Sequence, residues 1–386
     1  MGQVRQQSQC PASPGLLTPE EQHVLEALKA YRPMQPKILS LFTDPNKDPD
    51  DVAAFVVGAQ LERDRHVRLR DAAVTLGDRD TRTRRAERAK GAFDLLGLLG
   101  VRVSVGGDYE MDDRQRAEHA KFLAAGHALR ATSGQVAPES LTALTESLSN
   151  SEQKTTLVVI AGMTDAAALM KQQPALVRDK VDRIVIMGGI KPEMDADGFV
   201  QPDEHAYNNR TDMKAAREFY RGAQVHEKPL TVVAREAAYK VAVSPAFYEG
   251  LAQTGHSLGA FLKHVQKDSL KEVWDGIGTG DLDRDHAWFR RTFVSEERVA
   301  AYGKQEASGP GSFEDAWAQV KKLNLYDPLT LLAAAEGPAR MLFTPKEVHA
   351  EGRSPVMLIG AQEVKSPDTA KVMMSALAKS ALAPAG

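Results

Sequence analysis

The feature of this sequence that most constrains its fold is an alternation of short apolar runs with longer amphipathic stretches. The apolar runs have the length of strands, and these are Lys37–Thr43, Ala72–Leu76, Val101–Val105, Thr155–Ala161, Arg183–Met187 and Leu230–Val233. The predicted helices are Asp51–Arg63, Thr83–Leu99, Thr164–Lys171 and Asp212–Arg221. Strands that alternate with helices at this spacing need crossover connections, so they form a mainly parallel sheet. The sequence therefore predicts an α/β fold, a doubly wound, mainly parallel open sheet with helices on both faces.

The chain divides into a tail and one domain. Residues 1–17 are rich in Gln, Ser and Pro and contain no acidic residue, which predicts a disordered tail and is compatible with a secretion signal. Residues 18–386 form the predicted domain, which begins with the helix signal Thr18-Pro19-Glu20-Glu21. Residues 245–325 show no strand pattern and carry all the tryptophans, so we expect a helical cap there, with a mobile loop at 276–285.

Charge and composition exclude several classes of protein. The chain has 49 basic and 52 acidic side chains, so it lacks the basic excess expected of a nucleic-acid-binding protein. It has no apolar run of about 18 residues and no apolar secretory signal, so neither a membrane span nor Sec export is predicted. The single cysteine, Cys10, forms no internal disulfide and no cysteine metal cage, which indicates a reducing compartment.

The richest chemistry follows the first predicted strand. Four carboxylates occur within eight residues, at Asp44, Asp48, Asp50 and Asp51. Such a cluster is strongly self-repelling unless it holds a cation, and its hard oxygen ligands suit Ca²⁺ or Mg²⁺. The alternative is a solvated acidic loop whose last two residues complement the following helix N-terminus. Far along the chain, Asp327-Pro328 precedes an apolar helix, and by itself this pair indicates only a helix cap.

Together these segments resemble the nucleoside hydrolase family, whose first strand ends in Asp-Pro-Gly-x-Asp-Asp and whose late helix begins His-Asp-Pro-Leu. Three intermediate segments resemble family landmarks in the same order: Val159-Ile-Ala-Gly-Met-Thr164, Ile186-Met-Gly-Gly189 and Ala206-Tyr207-Asn208. The resemblance extends from residue 37 to about residue 345. Ligands of such parallel sheets bind beyond the carboxyl ends of the strands, where all five segments are predicted to lie.

The resemblance implies a set of site residues. Asp44, Asp51, Asp327 and the backbone carbonyl of Thr164 would be Ca²⁺ ligands, and Asp44 would also be the general base. Asp50 and Asn208 would bind ribose hydroxyls, and Asp78 stands where the family has a ribose-binding Asn. The acidic loop has two residues more than the family motif, so Asp48 would either add a metal ligand or reshape the loop.

Two departures concern the leaving group. Tyr326 replaces the family's leaving-group histidine, and Ala206 replaces the Glu of Glu-Phe-Asn. The same departures, with Tyr207, resemble a branch of the family, the nucleoside-hydrolase-like type III effectors of plant-pathogenic bacteria (the XopQ class). That resemblance implies secretion into the host cell cytoplasm, an ADP-ribose-like ligand and modulation of immunity. The alternative is a housekeeping Ca²⁺-dependent purine or pyrimidine ribonucleoside hydrolase of nucleoside salvage in the bacterial cytoplasm.

Three further features each allow two interpretations, and a fourth resembles a motif for host proteins. Tyr207 would stack on a base or contact a phosphate, or else be a half-buried core aromatic. The basic stretch from Arg79 to Lys90 is interpreted as solvated helix surface, with diphosphate binding as the alternative. His286 beside Trp288 is interpreted as packing, with general-acid catalysis as the alternative. Arg5 to Pro11 resembles a phosphoserine site for host 14-3-3 proteins, although its Pro lies one residue too late.

Overall fold

The structure is a computed structural model that describes residues 16–45, 48–108, 129, 135–277, 285–294, 312–348 and 354–384. Its strands are β1 (Lys37–Thr43), β2 (Val67–Val74), β3 (Arg102–Val105), β4 (Thr155–Val159), β5 (Val181–Gly188), β6 (Ile190–Met194), β7 (Val200–Pro202), β8 (Leu230–Ala234), β9 (Lys346–Val348) and β10 (Val356–Ile359). Eight of them form one sheet, in the order β3-β2-β1-β4-β5-β8-β10-β9. All pairs in this sheet are parallel except β9 with β10, so the predicted fold class is confirmed.

The helices lie between and after these strands. In chain order they are α1 (Pro19–Lys29), α2 (Asp50–Arg63), α3 (Arg79–Leu95), α4 (Ser140–Ser149), α5 (Thr164–Gln172), α6 (Pro174–Lys180), α7 (Tyr207–Thr211), α8 (Met213–Val225), α9 (Arg235–Lys240), α10 (Ala246–Ala252), α11 (Ser257–Asp275), α12 (His286–Phe293), α13 (Phe313–Trp317), α14 (Tyr326–Ala334), α15 (Glu336–Leu342) and α16 (Pro367–Leu382). They cover both faces of the sheet with two apolar clusters, one around α2, α14 and α16 and the other around α5 and α8.

The strand order places a crevice beside the acidic loop. The chain runs outward from β1 to β2 and β3, then returns and continues on the other side through β4, β5 and β8. The direction therefore reverses between the neighbouring strands β1 and β4. At such a switch point the connections leave in opposite directions, and the space between them at the carboxyl ends of the strands is where ligands bind in open α/β sheets.

Helix α2 is held firmly behind this crevice. Almost the whole helix is buried, including its first two residues, Asp50 and Asp51. A Cβ atom added to Gly58 would lie 3.0 Å from a methyl carbon of Leu69 on β2 and 3.1 Å from one of Leu331 on α14. A side chain at this position would press on both methyl groups, so glycine allows α2 to lie close to both the sheet and α14.

All six predicted strands are present, but β6, β7, β9 and β10 were missed, although β10 (Val356–Ile359) is a short apolar run. Strand β2 begins five residues before the prediction, because its first half alternates buried and exposed residues and so lacks a continuous apolar run. The β6–β7 hairpin contains proline and charged residues, and β9 is exposed over two of its three residues. Such edge strands carry little hydrophobic signal.

The predicted first helix is confirmed as α1. Thr18 and Glu21 form a reciprocal capping box at its start. Glu21 also accepts hydrogen bonds from Lys379 (2.8 Å) and Ser375 (2.5 Å) on α16, so this helix is fixed to the last one. The predicted disordered tail lies outside the described residues, except for residues 16 and 17.

The described part of residues 245–325 is helical, as expected for the predicted cap. It contains α10 to α13 and a single isolated bridge between Val243 and Leu323. Most of the predicted mobile loop at 276–285 lies outside the described residues. Within the part of the chain that the structure describes, no helix is long and apolar enough to cross a membrane.

Candidate functional site

The acidic loop is folded back on the end of β1 by its own hydrogen bonds. The Thr43 hydroxyl donates to Oδ1 of Asp51, and the backbone N–H of Asp44 donates to the same oxygen at 2.9 Å. The N–H of Asp50 donates to Oδ1 of Asp48 at 3.0 Å. These contacts turn the carboxylates of the first turn of α2 towards the carboxyl end of the strand, which places them in the crevice.

A single carboxylate oxygen joins the loop to the late Asp-Pro helix. Oδ2 of Asp50 accepts hydrogen bonds from the backbone N–H groups of Tyr326 (2.8 Å) and Asp327 (3.2 Å). Asp50 and Asp327 are 277 residues apart in the sequence. These are donors of the first turn of α14, which has no side-chain cap of its own. The structure therefore brings together the two acidic segments that the sequence had singled out separately.

The site's carboxylates are buried and repel one another. Asp44, Asp50, Asp51 and Asp327 are each no more than 6% exposed. Burial, followed by repulsion from neighbouring carboxylates, raises the pKa values of Asp50, Asp51 and Asp327 well above the usual range. The alternative of a solvated acidic loop is therefore wrong for these residues.

An arginine provides the opposite charge within the described part of this site. Nη1 of Arg85 lies 3.9 Å from Oδ2 of Asp44 and donates to the carbonyl of Leu76 at 2.8 Å. Arg82, one turn earlier on α3, donates to the carbonyl of Gly77 at 2.8 Å and pairs with Asp108. Leu76 and Gly77 have positive φ values of 67° and 104°, so this turn directs its carbonyls at the two guanidinium groups.

The interpretation of the basic stretch as solvated surface is consequently wrong for its inner half. Arg82, Arg85 and Arg88 are at most 1% exposed and Lys90 is buried, whereas Arg79 is exposed. The physical reason is helical periodicity, since the three buried arginines follow one another at intervals of three residues on the face that also carries Ala89 and Phe93. The buried face of α3 could have been identified from that spacing.

Two other predicted ligand residues begin helices at neighbouring strand ends. Thr164 is the first residue of α5, and its hydroxyl donates to Oδ2 of Asp212 at 2.9 Å. Asp78 caps α3 by accepting the N–H of Thr81 at 2.8 Å. Both side chains thus have structural contacts, and their predicted roles towards metal and ribose rest on the family resemblance.

The segment from Ala206 to Asn208 lies beyond the end of β5. The side chain of Asn208 donates to the carbonyl of Met187 at 3.3 Å, and Tyr207 is half-buried with Arg210 5.4 Å from its ring centroid. The next residue, Asn209, is fully buried and donates to the carbonyls of Gly189 and Asp203 at 2.9 Å. Asn209 therefore anchors the turn that presents Tyr207 and Asn208.

Two tyrosine rings pack against each other at the start of α14. The Tyr326 hydroxyl accepts from Asn324 at 3.1 Å, and its ring packs edge-on against Tyr239 with centroids 6.2 Å apart. Burial raises the pKa of Tyr326 well above 10. Tyr239 and the buried Tyr248 were missed by sequence reasoning, because each lies in an ordinary short helix with no motif around it.

A second, exposed group of ligand-type side chains lies next to this segment. Ligand atoms of Asp203, Glu204 and His205 lie within 4.8 Å of one another and could hold a metal ion. Lys191 contacts Glu204 at 2.7 Å, so a cationic side chain already occupies part of this group. The signal for this group in the sequence is the run of three consecutive residues Asp203-Glu204-His205.

His286 packs as interpreted, with its ring centroid 4.3 Å from that of Trp274. Trp288 packs edge-on against Phe293. The 14-3-3-like segment at Arg5 to Pro11 lies outside the described residues. The aromatic residues of α12 therefore belong to the larger apolar cluster, which also includes residues of α2 and α14.

Comparison with known families gives a match over most of the chain. The family model of the inosine-uridine preferring nucleoside hydrolases matches residues 40–376. The chain belongs to this nucleoside hydrolase family. Comparison with curated protein sequences yields no match.

Solved structures confirm the resemblance to the XopQ class within the nucleoside hydrolase family. The type III effector protein XopQ, solved in complex with adenosine diphosphate ribose, has 52% identity and a TM-score of 0.87, over 95% of this chain and 100% of the other. The effector protein XOO4466 has 51% identity and a TM-score of 0.86, over 95% and 99%. An inosine-uridine preferring nucleoside hydrolase from Bacillus anthracis has 16% identity and a TM-score of 0.54, over 89% and 99%, and shows the shared fold.

Proposed function

We propose that this nucleoside hydrolase family member is a type III effector that binds Ca²⁺ and a ribosyl nucleotide such as ADP-ribose in the crevice between β1 and β4. The observation that carries the proposal is the convergence of Asp44, Asp50, Asp51 and Asp327, which are buried together although the last comes from a distant helix. Burying like charges is costly without a compensating cation. This arrangement indicates a site for a ligand rather than a contribution to stability.

The donor chemistry fits calcium. Asp44, Asp51 and Asp327, with the Thr164 carbonyl and a contribution from Asp48, offer only hard oxygen ligands, which Ca²⁺ prefers. Oδ1 of Asp50 is buried and has no hydrogen-bond partner among the described residues, so an acceptor remains available to a ligand. A bound divalent ion would lower the pKa of a water molecule and hold sugar hydroxyls.

The residues of the chain suggest how an N-ribosyl bond would be hydrolysed. Asp44 accepts the proton of the attacking water, whose oxygen bonds to the sugar C1′ while the C1′–N bond breaks and its electrons leave with the base. Asp50 and Asn208 orient the ribose hydroxyls, and Asp78 lies at the neighbouring strand end. Burial raises the pKa of Tyr326, which disfavours proton donation by its hydroxyl, so the leaving base is protonated from the solvent, which takes back the proton held by Asp44.

The identity of the nucleotide ligand is inferred from the relatives and from three residues of this chain, Ala206, Tyr207 and Tyr326. XopQ was solved with adenosine diphosphate ribose at 52% identity to this chain. Ala206 removes a carboxylate beside Tyr207, which favours an anionic phosphate over a neutral sugar terminus. Tyr207 and Tyr326 offer aromatic faces on which a base can stack.

The biological role is proposed on the same relatives. Two effector proteins match at 51–52% identity over 95% of this chain. We infer secretion through a type III system into the host cell cytoplasm, where the protein would modulate immunity by sequestering or hydrolysing its ligand. Engagement of host proteins, including 14-3-3 proteins through Arg5 to Pro11, belongs to the same proposal.

The test is calorimetric titration of ADP-ribose into the Ca²⁺-loaded protein, followed by chromatography of the mixture. Saturable binding that is lost in EDTA and in Asp44→Ala supports the proposal, with Asp368→Ala as the control because that side chain is 87% exposed. Release of ribose-containing fragments would establish hydrolysis and identify the bond. No binding of ADP-ribose, with fast inosine or uridine hydrolysis, would favour the housekeeping nucleoside hydrolase instead.

A further inference from the structure

Helix α5 begins without an N-cap of the usual kind. Its N-cap residue, Met163, makes no side-chain hydrogen bond to the helix. The first two helical residues, Thr164 and Asp165, instead direct their side chains to neighbouring elements. An ordinary cap satisfies the N–H groups of its own helix. Contacts such as these fix the place at which the helix begins relative to the rest of the fold.

The side chain of Asp165 joins α5 to two other elements. It is buried, and its Oδ1 accepts hydrogen bonds from the backbone N–H of Gly107 at 2.7 Å and from the hydroxyl of Ser140 at 2.7 Å. Gly107 lies just beyond the end of β3, and Ser140 is the first residue of α4. A single oxygen atom therefore connects the starts of α4 and α5 with the carboxyl end of β3.

The close approach of Asp165 to the end of β3 depends on a glycine. A Cβ atom added to Gly106 would lie 2.5 Å from Oδ2 of Asp165 and 2.7 Å from the carbonyl oxygen of Val74. Both distances are shorter than van der Waals contact, so any other residue would displace the carboxylate or the strand end. The carboxylate is thus packed directly against the backbone that follows β3.

The peptide group between Thr164 and Asp165 is held from both sides. The hydroxyl of Thr164 donates to Oδ2 of Asp212 at 2.9 Å, and Oδ1 of Asp212 accepts the N–H of Ala215 at 2.9 Å as the cap of α8. Asp165 holds the other side through β3 and α4. This peptide group carries the Thr164 carbonyl, which the proposed function assigns to Ca²⁺. The side chains that flank the peptide therefore determine the direction of that carbonyl.

We propose that Asp165 is a positioning residue that orients the Thr164 carbonyl towards the metal ion. The inference rests on the proposed function and deepens it, because it names a residue that acts through a metal ligand rather than on the ion itself. Groups that orient metal ligands typically contribute about 10–100-fold to metal affinity. The contribution of Asp165 comes from the acceptor Oδ1, so an amide oxygen in the same place preserves it.

A second buried aspartate provides a matched control. Asp71 on β2 is also buried, and its carboxylate accepts hydrogen bonds from Ser40 at 2.6 Å and from Ser147 at 2.6 Å. Ser147 lies on α4, the helix that Asp165 holds through Ser140. None of the hydrogen-bond partners of Asp71 among the described residues belongs to α5. Asp71 therefore shares the structural role of Asp165 towards α4 but has no contact with the start of α5.

The test is calorimetric titration of Ca²⁺ into the metal-free full-length protein and into variants that circular dichroism shows to be folded. Asp165→Ala is expected to bind Ca²⁺ at least about tenfold more weakly than the wild type. Asp165→Asn should retain most of the affinity, because its amide oxygen accepts the same two hydrogen bonds. Asp71→Ala should lose stability in urea without losing affinity for Ca²⁺.

A milder pair of variants decides the matter if Asp165→Ala does not fold. Ser140→Ala and Ser147→Ala each remove one hydroxyl of α4, the first from Asp165 and the second from Asp71. Ser140→Ala should bind Ca²⁺ more weakly than the wild type, whereas Ser147→Ala should bind it with wild-type affinity.

The outcomes separate this inference from the function on which it rests. Equal Ca²⁺ affinity in Asp165→Ala and Asp71→Ala, or in the two serine variants, would overturn the positioning role while the proposed function stands. Equal losses in Asp165→Asn and Asp165→Ala would also overturn it, because affinity would then depend on the charge of the side chain rather than on its hydrogen bonds. If the wild-type protein fails to bind Ca²⁺, the proposed function and this inference fail together.

Discussion

Oδ2 of Asp50 accepts the backbone N–H of Asp327 at 3.2 Å, so the start of α2 caps the start of α14. The contact joins two buried residues: burial and then the charge of Asp50 raise the pKa of Asp327, whereas the N–H of Asp327 acts to lower the pKa of Asp50, which burial and the neighbouring Asp48 raise. The protein thus keeps a mutually repelling cluster in place by hydrogen bonding its backbone. Such an arrangement exchanges stability for a binding site.

The first prediction concerns the stability that the protein loses through repulsion between these buried carboxylates. Asp327→Asn removes one of the repelling charges while keeping the volume of the side chain. In EDTA we expect the free energy of unfolding to rise by about 1–2 kcal/mol, since relief of buried like-charge repulsion is of this order. Urea unfolding measures it, and a variant less stable than the wild type in EDTA would contradict the explanation.

The pH dependence of stability follows from the same groups. The folded-state pKa values of Asp50, Asp51 and Asp327 are raised, so the folded protein binds more protons than the unfolded chain does. Their stabilisation is complete below the unfolded pKa of about 4 and is lost as the pH rises through the raised values. In EDTA the melting temperature should therefore fall with rising pH above about 4.

Saturating Ca²⁺ should flatten this pH dependence, because the ion favours the ionised carboxylates. Differential scanning fluorimetry across a pH series, with and without Ca²⁺, measures the two slopes. Identical slopes in EDTA and in Ca²⁺ would mean that the buried carboxylates and the ion do not interact.

The third prediction concerns Arg85, which is fully buried 3.9 Å from Asp44. Replacement by Met leaves the carboxylate cluster without this guanidinium, and the Leu76 carbonyl without its donor. Removing one partner of a buried pair costs about 3–5 kcal/mol, so Arg85→Met should be strongly destabilised. Arg84→Met on the same helix is the control, because its side chain is 43% exposed and the expected loss is below about 1 kcal/mol. Equal losses in chemical denaturation would contradict this.

The fourth prediction concerns Tyr207. If the ring stacks on a base, Tyr207→Ala should weaken ADP-ribose binding by about 1–3 kcal/mol, whereas Tyr207→Phe should retain most of the affinity. If the hydroxyl contacts a phosphate, both variants should lose affinity similarly. Calorimetry on the pair distinguishes these roles, and unchanged affinity in Tyr207→Ala would leave only the core-aromatic interpretation.

The sequence predicted those parts of the fold and site that rest on local pattern. Strand β1, Lys37–Thr43, is buried over six of its seven residues, and its bounds were predicted correctly. The acidic loop and Asp327 were identified because a cluster of charged residues and an Asp-Pro pair can be recognised directly in the sequence.

The remaining features depend on tertiary contacts that no local pattern contains. The cap of α14 is a side chain 277 residues away in sequence, so its identity could be found only from the structure. Tyr248 lies in a short helix whose composition is that of any core helix, and its burial arises from the packing of that helix. Arg85 is an intermediate case, because its periodicity indicated a buried face but the composition of the stretch suggested solvent.

The measurement that tests the account most directly is calorimetric titration of Ca²⁺ into the metal-free protein and into two variants. Asp51→Asn alters the buried cluster, and Asp203→Asn alters the exposed group with Glu204 and His205. We predict saturable Ca²⁺ binding in the wild type, loss of at least tenfold in affinity in Asp51→Asn, and no change in Asp203→Asn. Absence of Ca²⁺ binding, or a loss confined to Asp203→Asn, would contradict the assignment of the metal to the crevice between β1 and β4.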